Sequence, residues 1–175
     1  MCNAEVAYMT LQSTSEQAAP VPPQTAAPVI VKRIDIAAPV PRVWRALTDY
    51  QQFGQWFLVN LEGPFVPGEA VGGQLTFPGY EHVRMEVVVQ AIRPTTYFSY
   101  TWHPYAVDPK VDYSGEPPTL VEFQLEATPT GTLLIVTESG FENLPPSRYS
   151  DALHMNTRGW EQQLKHLEAY VHKTA

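Results

Sequence analysis

The chain has 175 residues, of which 44% are apolar and 17% charged, and its formal net charge is −7. This length suits one domain with a buried core, and the composition excludes a largely disordered chain. The chain has eleven Lys and Arg and eighteen Asp and Glu, and the basic residues form no cluster in the sequence that would predict a nucleic-acid-binding face. The same negative charge disfavours binding to anionic membrane surfaces. No apolar run approaches the ~20 residues that cross a bilayer, so membrane insertion is not expected.

Two features of the N-terminal part bear on compartment and domain organisation. The single cysteine, Cys2, excludes a disulfide framework and a Cys-based zinc site, which favours a soluble cytoplasmic protein. Residues 1–28 contain Glu5 and Glu16, no Lys or Arg, and a stretch rich in Ala, Pro and Gln. Such a composition is typical of a flexible leader and not of a secretory signal. We therefore predict a flexible leader over 1–28 and one domain over 29–175.

The domain begins with a strand and two short helical segments. Isoleucines that share one face predict a strand over residues 29–36. Apolar residues then recur at helical spacing over 40–48, and this predicts a short helix. Residues 49–53 favour another helical turn before the next apolar stretch.

From there to residue 139 the pattern is one of strands and turns. Gly- and Pro-rich turns separate candidate strands at 73–77, 82–92, 96–103, 119–128 and 132–139. Apolar and polar residues alternate along the three middle strands, as in an antiparallel sheet with one solvated face. In the last strand, Glu138 faces inward if Leu134 and Val136 do.

The C-terminal segment predicts a long helix that covers the apolar face of the sheet. Apolar residues repeat at helical spacing over 148–172, a length of ~37 Å at 1.5 Å per residue. Ser147 is predicted as its N-cap. Gly159 costs such a helix about 1 kcal/mol relative to Ala, and it indicates either close packing or a bend. Its neighbour Trp160 is expected to be a structural core residue.

Three segments resemble the SRPBCC (START-like, helix-grip) superfamily. They are IAAPVPRVWRALTD at 36–49, GTLLIVTESGF at 131–141, and the helix that starts with GW at 159. They are most similar to the branch related to the C-terminal domain of heat-shock-protein-90 ATPase activators. The resemblance implies an α+β helix-grip fold: a curved antiparallel sheet of about seven strands wrapped around a long C-terminal helix, with two short helices after the first strand. It also implies a strand near 59–66 and a cavity between sheet and helix.

Catalytic and metal-binding motifs are not found in the sequence. There is no phosphate-binding loop, no Gly-x-Gly-x-x-Gly turn and no Gly-x-Ser-x-Gly elbow. The five histidines lack the i, i+4 pairing of a helical zinc site. We therefore predict no catalytic residue, no metal site and no cofactor.

The candidate ligand-binding residues are large side chains expected on the inward face and a few polar groups. They are Trp56, Met85, Phe98, Tyr100, Trp102, Phe123, Glu138, His154 and Arg158. Taken singly, each aromatic ring is more typical of a solid core, and each polar group could be satisfied by backbone or solvent. If Glu138 is buried, we expect a raised pKa or a cationic partner. His154 and Arg158, one helical turn apart, could otherwise be a solvated pair.

Three functions fit these observations. The favoured hypothesis is non-catalytic binding of a small, largely apolar molecule, lipid-like or polyketide-like, in the cavity between sheet and C-terminal helix. One alternative is an enzyme of the polyketide cyclase or dehydratase type, which needs two or more polar groups that converge on one point. The other is a co-chaperone-like module with a protein partner, which would show a contiguous exposed patch over a closed interior.

Overall fold

A computed structural model describes residues 26–174, so all but the last three positions of the predicted leader lie outside the described residues. In chain order the elements are β1 (Ile30–Ile36), α1 (Val40–Thr48), α2 (Tyr50–Phe57), β2 (Val59–Leu61), β3 (Ala70–Leu75), β4 (Arg84–Arg93), β5 (Tyr97–Trp102), β6 (Thr119–Thr128), β7 (Gly131–Ser139), a 3-10 turn (Phe141–Asn143) and α3 (Pro146–Lys173).

The seven strands form one antiparallel sheet in the order β1-β7-β6-β5-β4-β3-β2. Consecutive strands from β2 to β7 are neighbours, and β1 joins the sheet beside β7. The register places Val121 of β6 opposite both Tyr100 of β5 and Glu138 of β7. These three residues form one row across the sheet. The α+β helix-grip fold and the two short helices are confirmed.

The β6–β7 turn approaches the end of β1 so closely that position 131 requires a glycine. Gly131 has φ +153°, and a Cβ at this position would collide with the backbone oxygen of Ile36. Only glycine fits so close to another strand. Nearby, the Thr132 hydroxyl donates to the Ala38 carbonyl oxygen at 2.7 Å, which ties the last strand to the chain between β1 and α1.

Alternation along the strands follows the predicted faces. In β4, Met85, Val87 and Val89 are buried, whereas Arg84 and Glu86 are exposed. β2 is confirmed but covers three residues only, and β3 begins three residues before the predicted strand at 73. The second helix continues to Phe57 instead of ending near 53.

The start of α3 differs from the prediction. The N-cap position is Pro145, no side chain caps the helix, and Ser147 lies within the first turn, so the predicted Ser147 cap is wrong. The reason is the second proline, Pro146, which occupies the first helical position because it has no N–H to satisfy there. The remainder of the predicted helix is confirmed.

One part of the space between sheet and helices is filled by aromatic side chains. Phe53 of α2 contacts the ring of Phe65, which contacts Phe98 of β5, with centroid distances of 5.2 and 5.0 Å. Phe98 stacks on Phe123 of β6 at 5.7 Å and meets the edge of Tyr100. All five rings are buried, so this part of the interior is packed.

Residues 26–174 contain neither a membrane-spanning helix nor a metal-binding cluster. No helix in this range is long and apolar enough to cross a membrane. The same residues contain no group of three or more His, Cys, Asp or Glu that could hold a metal ion.

Candidate functional site

A cavity of about 720 Å³ lies between β3–β5, the segment that follows β5, and the middle of α3. This volume is within the range of pockets that hold small organic ligands. Most of the wall is apolar or aromatic, while exposed polar side chains such as Arg158 and Lys165 stand at its outer part. Six of its larger wall residues are Phe57, Phe77, Met85, Trp102, Tyr113 and Trp160.

Gly159 is the point at which α3 leaves room. It lines the cavity, and a Cβ built there would meet no atom within 4 Å. Of the two explanations predicted for this glycine, close packing is therefore excluded. The residue that follows, Trp160, is buried and also contributes to the cavity wall.

Behind the cavity wall, Glu138 is a fully buried carboxylate with four hydrogen-bond donors. Its Oε1 accepts from the Trp102 indole at 2.8 Å and the Thr119 hydroxyl at 2.7 Å. Its Oε2 accepts from the Trp160 indole at 2.7 Å. The Asn156 amide nitrogen donates to both oxygens, at 3.0 and 3.1 Å. Three of these donors belong to cavity-lining residues, so Glu138 holds the wall in place from behind.

The electrostatics of Glu138 reflect two opposing effects. Burial raises the pKa of its carboxyl group, and the hydrogen bonds from Thr119, Trp102, Trp160 and Asn156 act in the opposite direction, with a raised pKa as the net result. All of these partners are neutral, and no ion pair to Glu138 occurs among the described residues. For a buried Glu138 the sequence predicts either a raised pKa or a cationic partner. The pKa is raised, and no cationic partner is present among the described residues.

Tyr100 lies two residues before Trp102 on the same face of β5, but deeper. It is fully buried, and its hydroxyl is the one buried side-chain atom of residues 26–174 that has no hydrogen-bond partner. Burial raises the pKa of this phenol well above its ordinary value, and the charge of Glu138 adds to the effect. The side chain does not reach the cavity surface.

A single arginine holds the segment between β5 and β6 as one wall of the cavity. Arg148, in the first turn of α3, donates to the carbonyl oxygens of Pro104 and Tyr105 at 2.8 and 2.9 Å. Its Nε pairs with the Glu116 carboxylate at 2.9 Å, and its guanidinium lies 4.4 Å from the centre of the Tyr113 ring. Both partners of the ion pair are mostly buried, so this contact constrains the segment that carries Tyr105 and Tyr113.

The structure separates the nine predicted site residues into three groups. Met85, Trp102 and Arg158 line the cavity. Glu138 lies directly behind it and contacts Trp102. The others are not at its surface: His154 is exposed on α3, and the fully or almost fully buried core contains Trp56, Phe98, Tyr100 and Phe123.

Sequence reasoning missed several residues that shape the site. Arg148 lies in the first turn of α3, and the residues it holds lie in the segment 103–118. This segment has no regular sequence pattern, and its position depends on long-range contacts. Asn156 is also absent from the predicted site residues. Asn156 lies four residues before Trp160 and therefore on the same face of the helix. This spacing could have identified it, because a polar residue on a buried face needs a hydrogen-bond partner.

Comparisons with known proteins agree with this fold. Residues 37–172 match the family model described as Activator of Hsp90 ATPase homolog 1-like protein. Among solved structures, protein MLL2253 from Mesorhizobium loti is 28% identical with a TM-score of 0.67, over 85% of this chain and 99% of that protein. The comparison with curated proteins finds no match.

Two further structures share the fold at lower identity. CalU16 from Micromonospora echinospora is 24% identical with a TM-score of 0.55, over 82% of this chain and 74% of CalU16. DynU16, from the dynemicin biosynthetic locus, is 22% identical with a TM-score of 0.64, over 82% of this chain but 47% of DynU16. The family match covers most of the domain, and the architecture agrees with the resemblance seen in the sequence. The chain therefore belongs to the family of Activator of Hsp90 ATPase homolog 1-like proteins, within the SRPBCC helix-grip superfamily.

Proposed function

We propose that this protein binds a small, largely apolar molecule, lipid-like or aromatic and polyketide-like, in the cavity between the sheet and α3, without catalysing a reaction. The observation that carries the proposal is the cavity of about 720 Å³ with its aromatic wall. Burial of apolar ligand surface at ~25 cal/mol per Å², less the cost of immobilisation, supports micromolar affinity for a ligand of this size. An open interior argues against the interaction-module alternative, which expects a closed one.

Several polar groups of the wall support binding without chemistry, because the protein itself engages them. The indole N–H groups of Trp102 and Trp160 both donate to Glu138. The Gln163 amide nitrogen donates to the Phe57 carbonyl oxygen at 3.0 Å. Acid–base catalysis needs groups that are free to exchange protons with a ligand, and Glu138 is enclosed by its four donors.

A polyketide cyclase- or dehydratase-like enzyme is the second candidate, and His103 is the observation that favours it. Its ring lines the cavity, and its Nε2 lies 3.0 Å from the Glu116 carbonyl oxygen. When Nε2 carries the proton for this contact, Nδ1 is left as a base. Turnover of a hydroxylated aromatic polyketide by the wild type, lost in His103→Gln with binding retained, would replace our proposal with this one.

Gly159 offers a direct test of the cavity, because two substitutions at one position differ in how much space they fill. Gly159→Leu should extend an isobutyl group into the open space and weaken binding of aromatic polyketides and fatty acids by at least about tenfold. Gly159→Ala should retain binding and should stabilise α3 by about 1 kcal/mol. Isothermal titration calorimetry measures the affinities, and urea unfolding measures the stabilities.

A thermal-shift measurement with nucleotides and apolar compounds supplies a chemical control. Nucleotides should not raise the melting temperature of the wild type, since the protein is net acidic and the cavity wall is mainly apolar. Stabilisation by nucleotides together with no effect of any apolar compound would overturn the proposal. Equal affinity of the Leu and Ala variants for an apolar ligand would place binding elsewhere.

A further inference from the structure

The contact with Glu138 orients the Asn156 side chain. An ionised carboxylate accepts hydrogen bonds and cannot donate them, whereas an amide has a donating nitrogen and an accepting oxygen. The Asn156 nitrogen faces both oxygens of Glu138, at 3.0 and 3.1 Å. Since the nitrogen is held there, the amide oxygen must point away from the carboxylate.

That oxygen is accessible, and Asn156 is a residue of the cavity wall. Asn156 lines the cavity between Trp102 on the sheet and Trp160 on the helix. No donor among the described residues contacts its Oδ1. Within residues 26–174 the Tyr100 hydroxyl is the one buried side-chain atom without a partner, so the Asn156 oxygen is not buried. The protein thus presents a fixed, unused acceptor at an apolar surface.

The two indole N–H groups beside Asn156 do not compete with it for a ligand. The two indole N–H groups that flank Asn156 are both consumed by Glu138, so the rings offer only their faces and edges. The cations that line the cavity, such as Arg158 and Lys165, are exposed at its outer part. A ligand group that reaches Asn156 therefore meets an accepting oxygen next to the rings of Trp102 and Trp160.

We propose that Asn156 selects ligands through its Oδ1, which accepts a hydrogen bond from a hydroxyl or N–H group carried by an otherwise apolar, ring-shaped body. The inference rests on the proposed function and adds that the ligand carries a hydrogen-bond donor. A phenol or an aromatic amine fits the site, whereas an ether or ketone of the same shape leaves the acceptor unsatisfied. When an apolar ligand displaces water from a hydrogen-bond acceptor and supplies no donor in its place, the binding free energy becomes less favourable.

The test uses two probes that differ in one donor. 2-Naphthol and 2-methoxynaphthalene have the same ring system, and methylation removes the donor while the oxygen remains. Calorimetry at pH 7 should show that the wild type binds 2-naphthol about fivefold more tightly. Asn156→Leu, similar in size and without an acceptor, should bind both probes with nearly equal affinity.

Thr119→Val is the matched control, because Thr119 also donates to Glu138 but does not line the cavity. This variant should keep the preference for 2-naphthol. Loss of the preference in Thr119→Val as well as in Asn156→Leu would overturn the assignment to the Asn156 oxygen.

The wild-type measurement, together with Gly159→Leu, separates the two proposals. Equal affinity of the wild type for the two probes would overturn the role of Asn156 and leave the cavity as a binding site. If neither probe binds and Gly159→Leu leaves the binding of every other apolar compound unchanged, the proposed function fails, and the role of Asn156 fails with it.

Discussion

The same helix covers two regions of the sheet that differ in how they are filled. In the C-terminal half of α3, Leu164, Leu167 and Val171 are buried and complete the packed core. In the middle of the helix, Asn156 and Gly159 face a cavity of about 720 Å³. A helix packs closely where its inward face presents an apolar side chain at each turn. It leaves space where that face presents a glycine, such as Gly159, or an amide that is hydrogen-bonded to the protein, such as that of Asn156. Asn156 and Gly159 are thus two positions at which α3 leaves space.

The sheet shows the same division along β5. Phe98 and Tyr100 lie in the packed region, whereas Trp102, at the end of the strand, is half-buried and lines the cavity. The row formed by Tyr100, Val121 and Glu138 marks the boundary between the two regions. At this boundary the interior changes from aromatic packing to a hydrogen-bonded carboxylate.

The largest expected effect compares a ring in the packed region with one in the cavity wall. Phe98→Ala removes a fully buried ring and should lower the free energy of unfolding by roughly 3–5 kcal/mol. Phe77→Ala removes a half-buried ring that faces the cavity, and its cost should be about 1 kcal/mol or less. Urea titration measures both values. Equal, large losses would mean that the cavity region is packed as firmly as the core.

A smaller effect is expected at the boundary. Tyr100→Phe removes a buried hydroxyl that has no partner, and the free energy of unfolding should rise by about 1 kcal/mol. Tyr97→Phe is the control, because the Tyr97 hydroxyl donates to Glu122 at 2.6 Å and its removal should destabilise the protein slightly. A clear loss of stability in Tyr100→Phe, measured by the same titration, would show that its hydroxyl has a partner in the folded protein.

The smallest expected effect is a pH dependence that comes from Glu138. Because burial raises the pKa of this group in the folded state above the unfolded value of about 4.3, the folded protein binds the proton more tightly. The resulting stability is complete below the unfolded pKa and is lost as the pH rises through the folded pKa.

Glu138→Gln cannot titrate and serves as the reference. The stability of the wild type relative to Glu138→Gln should therefore be greater at pH 4 than at pH 7, as measured by urea titration across this range. The opposite slope would mean that the four donors outweigh burial and lower the pKa of Glu138.

The site was predicted from the sequence only in part. The inward position of Glu138 follows from alternation in the last strand, and Met85 and Trp102 follow from the same rule in theirs. Alternation assigns a residue to a face of the sheet, but it does not tell whether the neighbouring elements fill the space above that face. For this reason Phe98 and Phe123 could not be distinguished from Trp102. His154 and Arg158 share a helical face in the sequence, yet only Arg158 lines the cavity.

The sequence by itself determined the order of the elements, the faces of the strands and the long C-terminal helix, because these depend on local periodicity and on turn residues. Its resemblance to the helix-grip superfamily supplied the seven-stranded sheet and the short strand β2. Only the tertiary structure decided where the interior is open, which side chains hold Glu138, and how Arg148 fixes the segment 103–118. These features join residues that are distant in the chain, as in the pairing of Trp102 with Glu138, and their geometry exists only once the sheet and the helix are packed together.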